Sequence, residues 1–340
     1  MKSINYRIFI FQLIAAIRII FIHTDFQVGG YYFDALGRYG VLFFFIVSSF
    51  FYCQHLEKEH YNYKATLKRC LRLLIIEAIV LVIYIGGSLI YNIAAETNPA
   101  LFSHFSIDNV IDYFTNHCSN LSFLWFINSL ILCYLVFPLL WKIKYLHKQE
   151  SIWVPLLVLF LCYIFRFFAG KYNFGIFSYY QSTRNFLLLG LPAFLLGQWI
   201  YEHKDSFVIY QKLSYKWFYF AIIGLLGLSV LEAFGHEQFG TRENEYYLSS
   251  IALAMLFLMY GLKSPHTVIG KGVAKVAGRE IVVFVYLFHV LFMDIYSVLN
   301  VYGYMSAVKI VLTVLSLAII SIIYHQIKFL IIKKKASELA

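Results

Sequence analysis

Two groups of residues in this chain have the type and spacing to do chemistry. The first is His23, which closes an otherwise apolar run, Ile8-Phe-Ile-Phe-Gln-Leu-Ile-Ala-Ala-Ile-Arg-Ile-Ile-Phe-Ile-His23. That run is long enough to be the first span of a polytopic membrane protein. An ionisable residue in a span is costly, and by default it faces a protein interior or a wet cavity and marks function. The structural alternative is an interfacial histidine touching headgroups. The second group is Arg69 and Arg72, spaced three apart and so on one helix face. Two guanidinium groups there can clamp the phosphates of an anionic cytosolic ligand, or simply anchor a helix end by snorkelling.

The chain has no Walker-type glycine loop, no dinucleotide fingerprint and no Gly-x-Ser-x-Gly elbow. A kinase, an ATP-driven pump and a soluble-type esterase therefore find no support. A histidine without a serine or cysteine nucleophile beside it fits general-base catalysis better than a covalent intermediate. In that chemistry the base takes the proton of an acceptor hydroxyl as the hydroxyl attacks an activated acyl group.

The elements that must position these residues are membrane helices. The chain has 340 residues, 61% hydrophobic and 14% charged, with a mean hydropathy of +0.71. Soluble domains are about half apolar and a quarter charged, so this composition is that of a membrane-embedded protein. The aromatic share of 20% suits lipid contact and interfacial belts. The net charge of +10 does not point to nucleic acid, because the basic residues sit in short loops on one side. Cys53, Cys70, Cys133 and Cys162 fall in spans or at their inner ends and only Cys118 in an outer loop, which argues against a structural disulfide. No Cys/His spacing suggests zinc.

Stretches of about 20 apolar residues predict ten spans, near 6–24, 38–55, 71–93, 121–141, 152–169, 185–201, 216–233, 246–262, 281–299 and 304–332. The fold class expected is an all-α polytopic bundle, a single transmembrane domain over 1–335 with a short cytoplasmic tail at 336–340. No cleavage pattern follows the first apolar run, which reads as a retained span. Lys and Arg concentrate in alternate loops, and the loop 94–120 contains neither, so the positive-inside rule places both termini in the cytoplasm. In that loop, Ser106 to Phe114 has the pattern of an amphipathic surface helix. Arg18, Glu77, Arg166, Glu232, His289 and Asp294 lie within or at the ends of spans, where such residues pair with one another or line a hydrated path. Arg18 and Arg166 are candidates for pairing with Glu77 or another acid.

Several segments together resemble the integral-membrane acyltransferase-3 family. The first span from Gln12 to His23 is similar to the family's opening helix, which ends in its catalytic histidine. Gly40-Val-Leu-Phe-Phe-Phe-Ile-Val-Ser-Ser-Phe50 resembles its second helix, and Lys68-Arg-Cys-Leu-Arg72 its Arg-x-x-Arg element. Leu124-Trp-Phe126, Thr183-Arg-Asn185 with Gly190-Leu-Pro-Ala-Phe-Leu-Leu-Gly197, and Tyr286-Leu-Phe-His289 look like later elements, in the same order. Within the family, the chain most resembles the branch that includes the membrane half of the vancomycin-resistance serine racemases. Two positions depart from the pattern. Gln12 stands where the family carries Arg or Lys, bringing hydrogen-bonding capacity without charge. Ser49 stands where it carries Gly, and is small enough for a close helix contact.

The resemblance implies an O-acyltransferase, most simply an O-acetyltransferase, in a bacterial plasma membrane. His23 is then the general base, and Arg69, Arg72 and Gln12 contact the donor, cytosolic acetyl-CoA or another acyl-CoA. Ser48, Ser49, Trp125, Arg184, Glu232 and His289 line the acyl channel or the acceptor site. The acceptor is a cell-surface polysaccharide or lipid-linked glycan, and membrane lipid is the other partner. Nucleic acid is not a partner, and no metal or bound cofactor is required. The competing expectation is a transporter or flippase of a small polar solute or glycan precursor, for which Gly86-Gly87 would break the third span.

Overall fold

The computed structural model describes residues 5–23, 30–58, 63–94, 124–141, 152–172, 185–205, 214–241, 246–263, 272, 274, 281–298 and 306–338. Its elements are α1 (Tyr6–Ile22), α2 (Gly30–Ala35), α3 (Tyr39–Lys58), α4 (Tyr63–Ala94), α5 (Trp125–Trp141), α6 (Trp153–Tyr172), a π-helical turn (Phe186–Gly190), α7 (Leu191–His203), α8 (Tyr215–Gln238), α9 (Leu248–Lys263), α10 (Val282–Val298) and α11 (Ser306–Glu338). No strand occurs among the described residues. Every one of the ten expected spans coincides with a helix, and the protein is an all-α membrane helical bundle. Four helical stretches, Tyr32–Lys58, Tyr63–Gly87, Tyr215–Gln238 and Ala307–Ile331, are long and apolar enough to cross a bilayer by length and composition; Trp125–Leu140, Trp153–Phe168, Leu248–Lys263 and Val282–Tyr296 are shorter apolar helices.

The differences from expectation lie at helix ends. α4 begins about two turns before the expected 71 and runs for 32 residues, about 48 Å at 1.5 Å per residue. It therefore extends well past a hydrocarbon core of roughly 30 Å. Arg69 and Arg72 thus lie inside the helix rather than at its start. The helix continues through Gly86 and Gly87 without a break, and a Cβ at Gly86 would meet nothing within 4 Å. The break expected of a transporter is absent there. The short α2 was not anticipated from the sequence. The surface helix expected at 106–114 and Cys118 lie outside the described residues.

Burial follows the logic of a bilayer rather than of water. In Tyr32–Lys58, 72% of the apolar window is inside the protein, against 17% for Tyr63–Gly87 and for Tyr215–Gln238, and 22% for Ala307–Ile331. α3 is therefore a core helix, with Phe43, Phe45 and Tyr52 fully buried. α4 turns Leu71, Leu74, Ile75, Ile79 and Val82 outward. In water such a face would be a liability; against lipid it is the solvated one.

The chain forms two compact units, Met1–Gly40 with Tyr260–Ala340, and Val41–Met259. In the first, α1 packs against α10, α2 and α11, and α10 against α11. Asn5 fixes the start of α1: its Oδ1 accepts the Ile8 N–H at 3.1 Å, and its Nδ2 donates to the Gly261 carbonyl at 2.8 Å. Further along, the backbone at Gly37 passes so close that an added Cβ would lie 2.8 Å from the Arg18 carbonyl oxygen. Arg18 Nε donates to the Leu36 carbonyl at 3.3 Å, and its guanidinium lies over Phe21, with Asp34 the acid in electrostatic reach. α1 is thus held at both ends, and its last residue is placed with it.

In the second unit, α4 packs on α5, α5 on the π turn, and α6 on α7. α7 and α3 approach each other closely. A Cβ at Gly197 would lie 2.2 Å from the Ile46 carbonyl oxygen and 2.7 Å from Ser49 Cβ. The small residue expected at position 49 is therefore one side of a close helix contact of the small-residue kind. Gly197→Ala is expected to cost about 1–3 kcal/mol through backbone displacement, read as a lower melting temperature in detergent. Gly224→Ala, where a Cβ meets nothing within 4 Å, should leave the melting temperature unchanged or raised.

Candidate active site

Within the first unit, the candidate base is set by where α1 stops. His23 follows the last helical residue with φ −93° and ψ 4°, and its backbone N–H bonds back to the Ile20 and Phe21 carbonyls. Its side chain is exposed. Its ring lies beside that of His289, with centroids 5.1 Å apart and planes at 45°. The structure thus brings together two histidines 266 positions apart, along the contact between α1 and α10. His289 is buried, and its Nδ1 lies 2.8 Å from the Tyr286 carbonyl and 3.0 Å from that of Val285. Carbonyls only accept, so Nδ1 carries the proton and donates. The opposite nitrogen, Nε2, is buried without a hydrogen-bond partner. Leaving a buried polar atom unsatisfied costs about 1–3 kcal/mol. Gln12, on the same helix as His23, is half-buried.

The second unit builds a cationic site from α3, α4 and α5. The Arg69 guanidinium lies over the ring of Tyr52 at 5.2 Å and that of Tyr134 at 5.4 Å. The Tyr134 hydroxyl is within reach of Ser48 and Arg69. What fixes these rings is Pro138 inside α5. Proline has no N–H, so the carbonyl four residues earlier, that of Tyr134, loses its helical donor. Tyr52 Oη supplies the missing bond at 3.3 Å, and Thr66 Oγ1 donates to Tyr52 Oη at 2.7 Å. Aromatic faces under a guanidinium attract it by about 0.5–2 kcal/mol. Arg72, three residues on, is exposed.

The other expected residues fall as follows. Ser49 is buried against Gly197. Trp125 opens α5 and its ring contacts Phe45 at 6.0 Å. Glu232 accepts the backbone N–H of Leu248 at 2.8 Å on one oxygen and of Ser249 at 2.9 Å on the other. It therefore caps the start of α9, an acid at the positive end of a helix dipole. Arg184 lies outside the described residues.

Sequence reasoning missed Tyr52, Tyr134 and the cluster around His236. Pro138 was the available signal for the first two, since it announces a carbonyl in need of a donor. At the end of α8, His236 is buried with both nitrogens engaged: Nδ1 with Thr241 Oγ1 at 2.8 Å and Nε2 with Tyr163 Oη at 2.8 Å. Thr241 Oγ1 in turn donates to the His236 carbonyl at 3.2 Å, so Nδ1–H is the donor to Thr241 and Nε2 accepts from Tyr163. Rings of Tyr163, Phe167 and Tyr247 surround it at 5.2–5.8 Å. That is a structural histidine, and it sets off the half-satisfied His289.

An all-α bundle whose helices turn apolar faces outward defines a membrane protein. A family profile described as an acyltransferase domain matches residues 5–325, so the chain belongs to the acyltransferase-3 family and is a membrane acyltransferase. No curated protein and no solved structure matches the chain.

The capping geometry of Glu232 carries a prediction. Glu232→Ala removes both acceptors at the start of α9 and should cost about 1–2 kcal/mol, seen as a lower melting temperature. An unchanged melting temperature with a raised KM for the acceptor would instead place Glu232 at the substrate.

Proposed function

We propose that this protein is an O-acyltransferase, in its simplest form an O-acetyltransferase. It moves an acyl group from cytosolic acyl-CoA to a hydroxyl of a cell-surface glycan or its lipid-linked precursor, in a bacterial plasma membrane with both chain termini cytoplasmic. The observation that carries the reading is the exposed imidazole of His23 at the end of α1, beside a second histidine, in a chain that matches the acyltransferase-3 profile over 5–325.

The step proceeds by general-base catalysis. A ring nitrogen of His23 takes the proton of the acceptor hydroxyl as its oxygen bonds to the thioester carbonyl carbon. The carbon–sulfur bond then breaks, and the imidazolium returns the proton to the departing thiolate. One ester and one free thiol result, with no covalent enzyme intermediate and no metal. Arg69 and Arg72 hold the donor's phosphates, and Gln12 contributes hydrogen bonds where a relative carries a cation. Ser48 and Trp125 shape the acyl path and Arg184 the acceptor mouth, whereas Ser49 packs against Gly197 and Glu232 caps α9.

Ester-linked acetate on envelope glycans should appear in cells carrying the wild-type protein and be lost with His23→Ala at equal protein level. Equal acetate in both, and in cells lacking the protein, would overturn the reading for the glycans assayed. Arg69→Lys keeps the charge but not the planar group lying on Tyr52 and Tyr134. It should raise KM for acyl-CoA about tenfold with little change in kcat.

A further inference from the structure

His289 carries a feature that the proposed step does not use. Its Nδ1–H is committed to the Tyr286 and Val285 carbonyls of its own helix, which fixes one neutral tautomer and leaves a lone pair on Nε2. That atom is buried and has no partner. Because Nδ1 is turned to the backbone of α10, Nε2 sits on the ring edge away from it. The imidazole beside that ring is His23, with centroids 5.1 Å apart. His289 is buried with its Nδ1–H committed, and His23 is exposed at a helix end.

We infer that His289 is a positioning residue for His23: its Nε2 accepts an N–H from the His23 ring, so that the other His23 nitrogen is left unprotonated and aimed at the acceptor hydroxyl. This rests on the acyltransferase reading above. An N–H from His23 satisfies the orphaned acceptor. When His23 takes the hydroxyl proton, the bond to Nε2 stabilises the imidazolium, because a neutral acceptor faces the charged donor. The proton stays on His23. Moving it to His289 would create a cation in a buried ring whose Nδ1–H is already donated to carbonyls, and a buried charge without a counter-ion is disfavoured. The proton then passes to the leaving thiolate, and His289 ends the cycle in the tautomer in which it began. Orienting a base by a fixed acceptor is the general logic of catalytic histidines, whose partner sets which nitrogen is free.

Two conservative substitutions separate this role from a structural one. In His289→Gln the amide oxygen takes the place of Nε2, so the acceptor toward His23 is kept and the Nδ1 bonds to α10 are lost. In His289→Asn the amide takes the place of Nδ1, so the helix bonds are kept and the acceptor is lost. The inference expects His289→Gln to retain activity within about tenfold of wild type. It expects His289→Asn to lose on the order of 100-fold in kcat, with the KM values of donor and acceptor unchanged. A packing role predicts the reverse order, and His289→Asn equal to or better than His289→Gln overturns the inference.

A second measurement does not depend on turnover. In protein labelled with 15N-histidine, the His23 signals are identified among the 11 histidines by their loss in His23→Ala. A single His23 tautomer is expected in wild type and in His289→Gln, and a mixture in His289→Asn. A mixture in wild type overturns the inference. A single tautomer that depends on His289, with no ester formed by wild-type protein, would keep the pair and overturn the acyltransferase assignment instead. Ester formed by wild type but equally by His289→Asn would do the opposite.

Discussion

Within a bilayer no water reaches the backbone or the side chains, so every polar group in a span has to find its partner in the protein. Several of the contacts that hold these helices answer that constraint. Asn5 gives its two amide ends to the start of α1 and to the Gly261 carbonyl. Glu232 gives both oxygens to the first amides of α9, and Ser229 bonds Ser249 at 2.9 Å between the same two helices. His236 uses both ring nitrogens. These contacts do more than relieve a cost. With lipid on one side and lipid-like side chains on the other, apolar packing alone distinguishes few helix arrangements, and directed hydrogen bonds select one.

The same constraint explains how a cationic site is built where a cation is expensive. Pro138 removes an N–H from α5 and leaves the Tyr134 carbonyl open. Tyr52 closes that gap from α3, with Thr66 of α4 bonded in turn to its hydroxyl. Once its hydroxyl is fixed, the ring face of Tyr52 is fixed too, and Arg69 rests on it and on the neighbouring face of Tyr134. A defect in one helix is thus converted into a rigid platform for a guanidinium. The platform itself neutralises nothing of the guanidinium's charge, which a carboxylate in its place would have quenched.

How much of this was legible in the sequence depends on the range of the interaction. The spans were legible because an apolar run of about 20 residues is a local signal, and each coincides with a helix. Helix ends were less so: Tyr63 to Cys70 carries three basic residues, which reads as a loop by hydropathy although it lacks any Gly or Pro to stop α4. α2 is too short to produce a period. His23 and Arg69 announced themselves as charges in apolar surroundings. Tyr52 and Tyr134 did not, because a tyrosine among 28 carries no information until its partner is known, and that partner lies 82 positions away. Glu232 reads as a free acid in a span, since the amides it caps come 16 and 17 residues later.

The chemistry of the histidine pair follows from the same balance. A carboxylate is the commonest partner for orienting a catalytic imidazole, and it stabilises the imidazolium by a full charge. At the end of a membrane helix that charge would have to be carried through the whole cycle, including the ground state, where the imidazole is neutral and offers nothing in return. In the pairing we propose, a neutral imidazole with one fixed tautomer orients the base through its lone pair without carrying a charge. It gives up driving force for proton transfer in exchange. A thioester is already an activated acyl donor, and its attack by an alcohol needs a well-placed base more than a strong one. In the reaction we propose, the pairing of His23 with His289 therefore suits transfer from a donor activated beforehand, and would serve poorly for cleaving an unactivated amide.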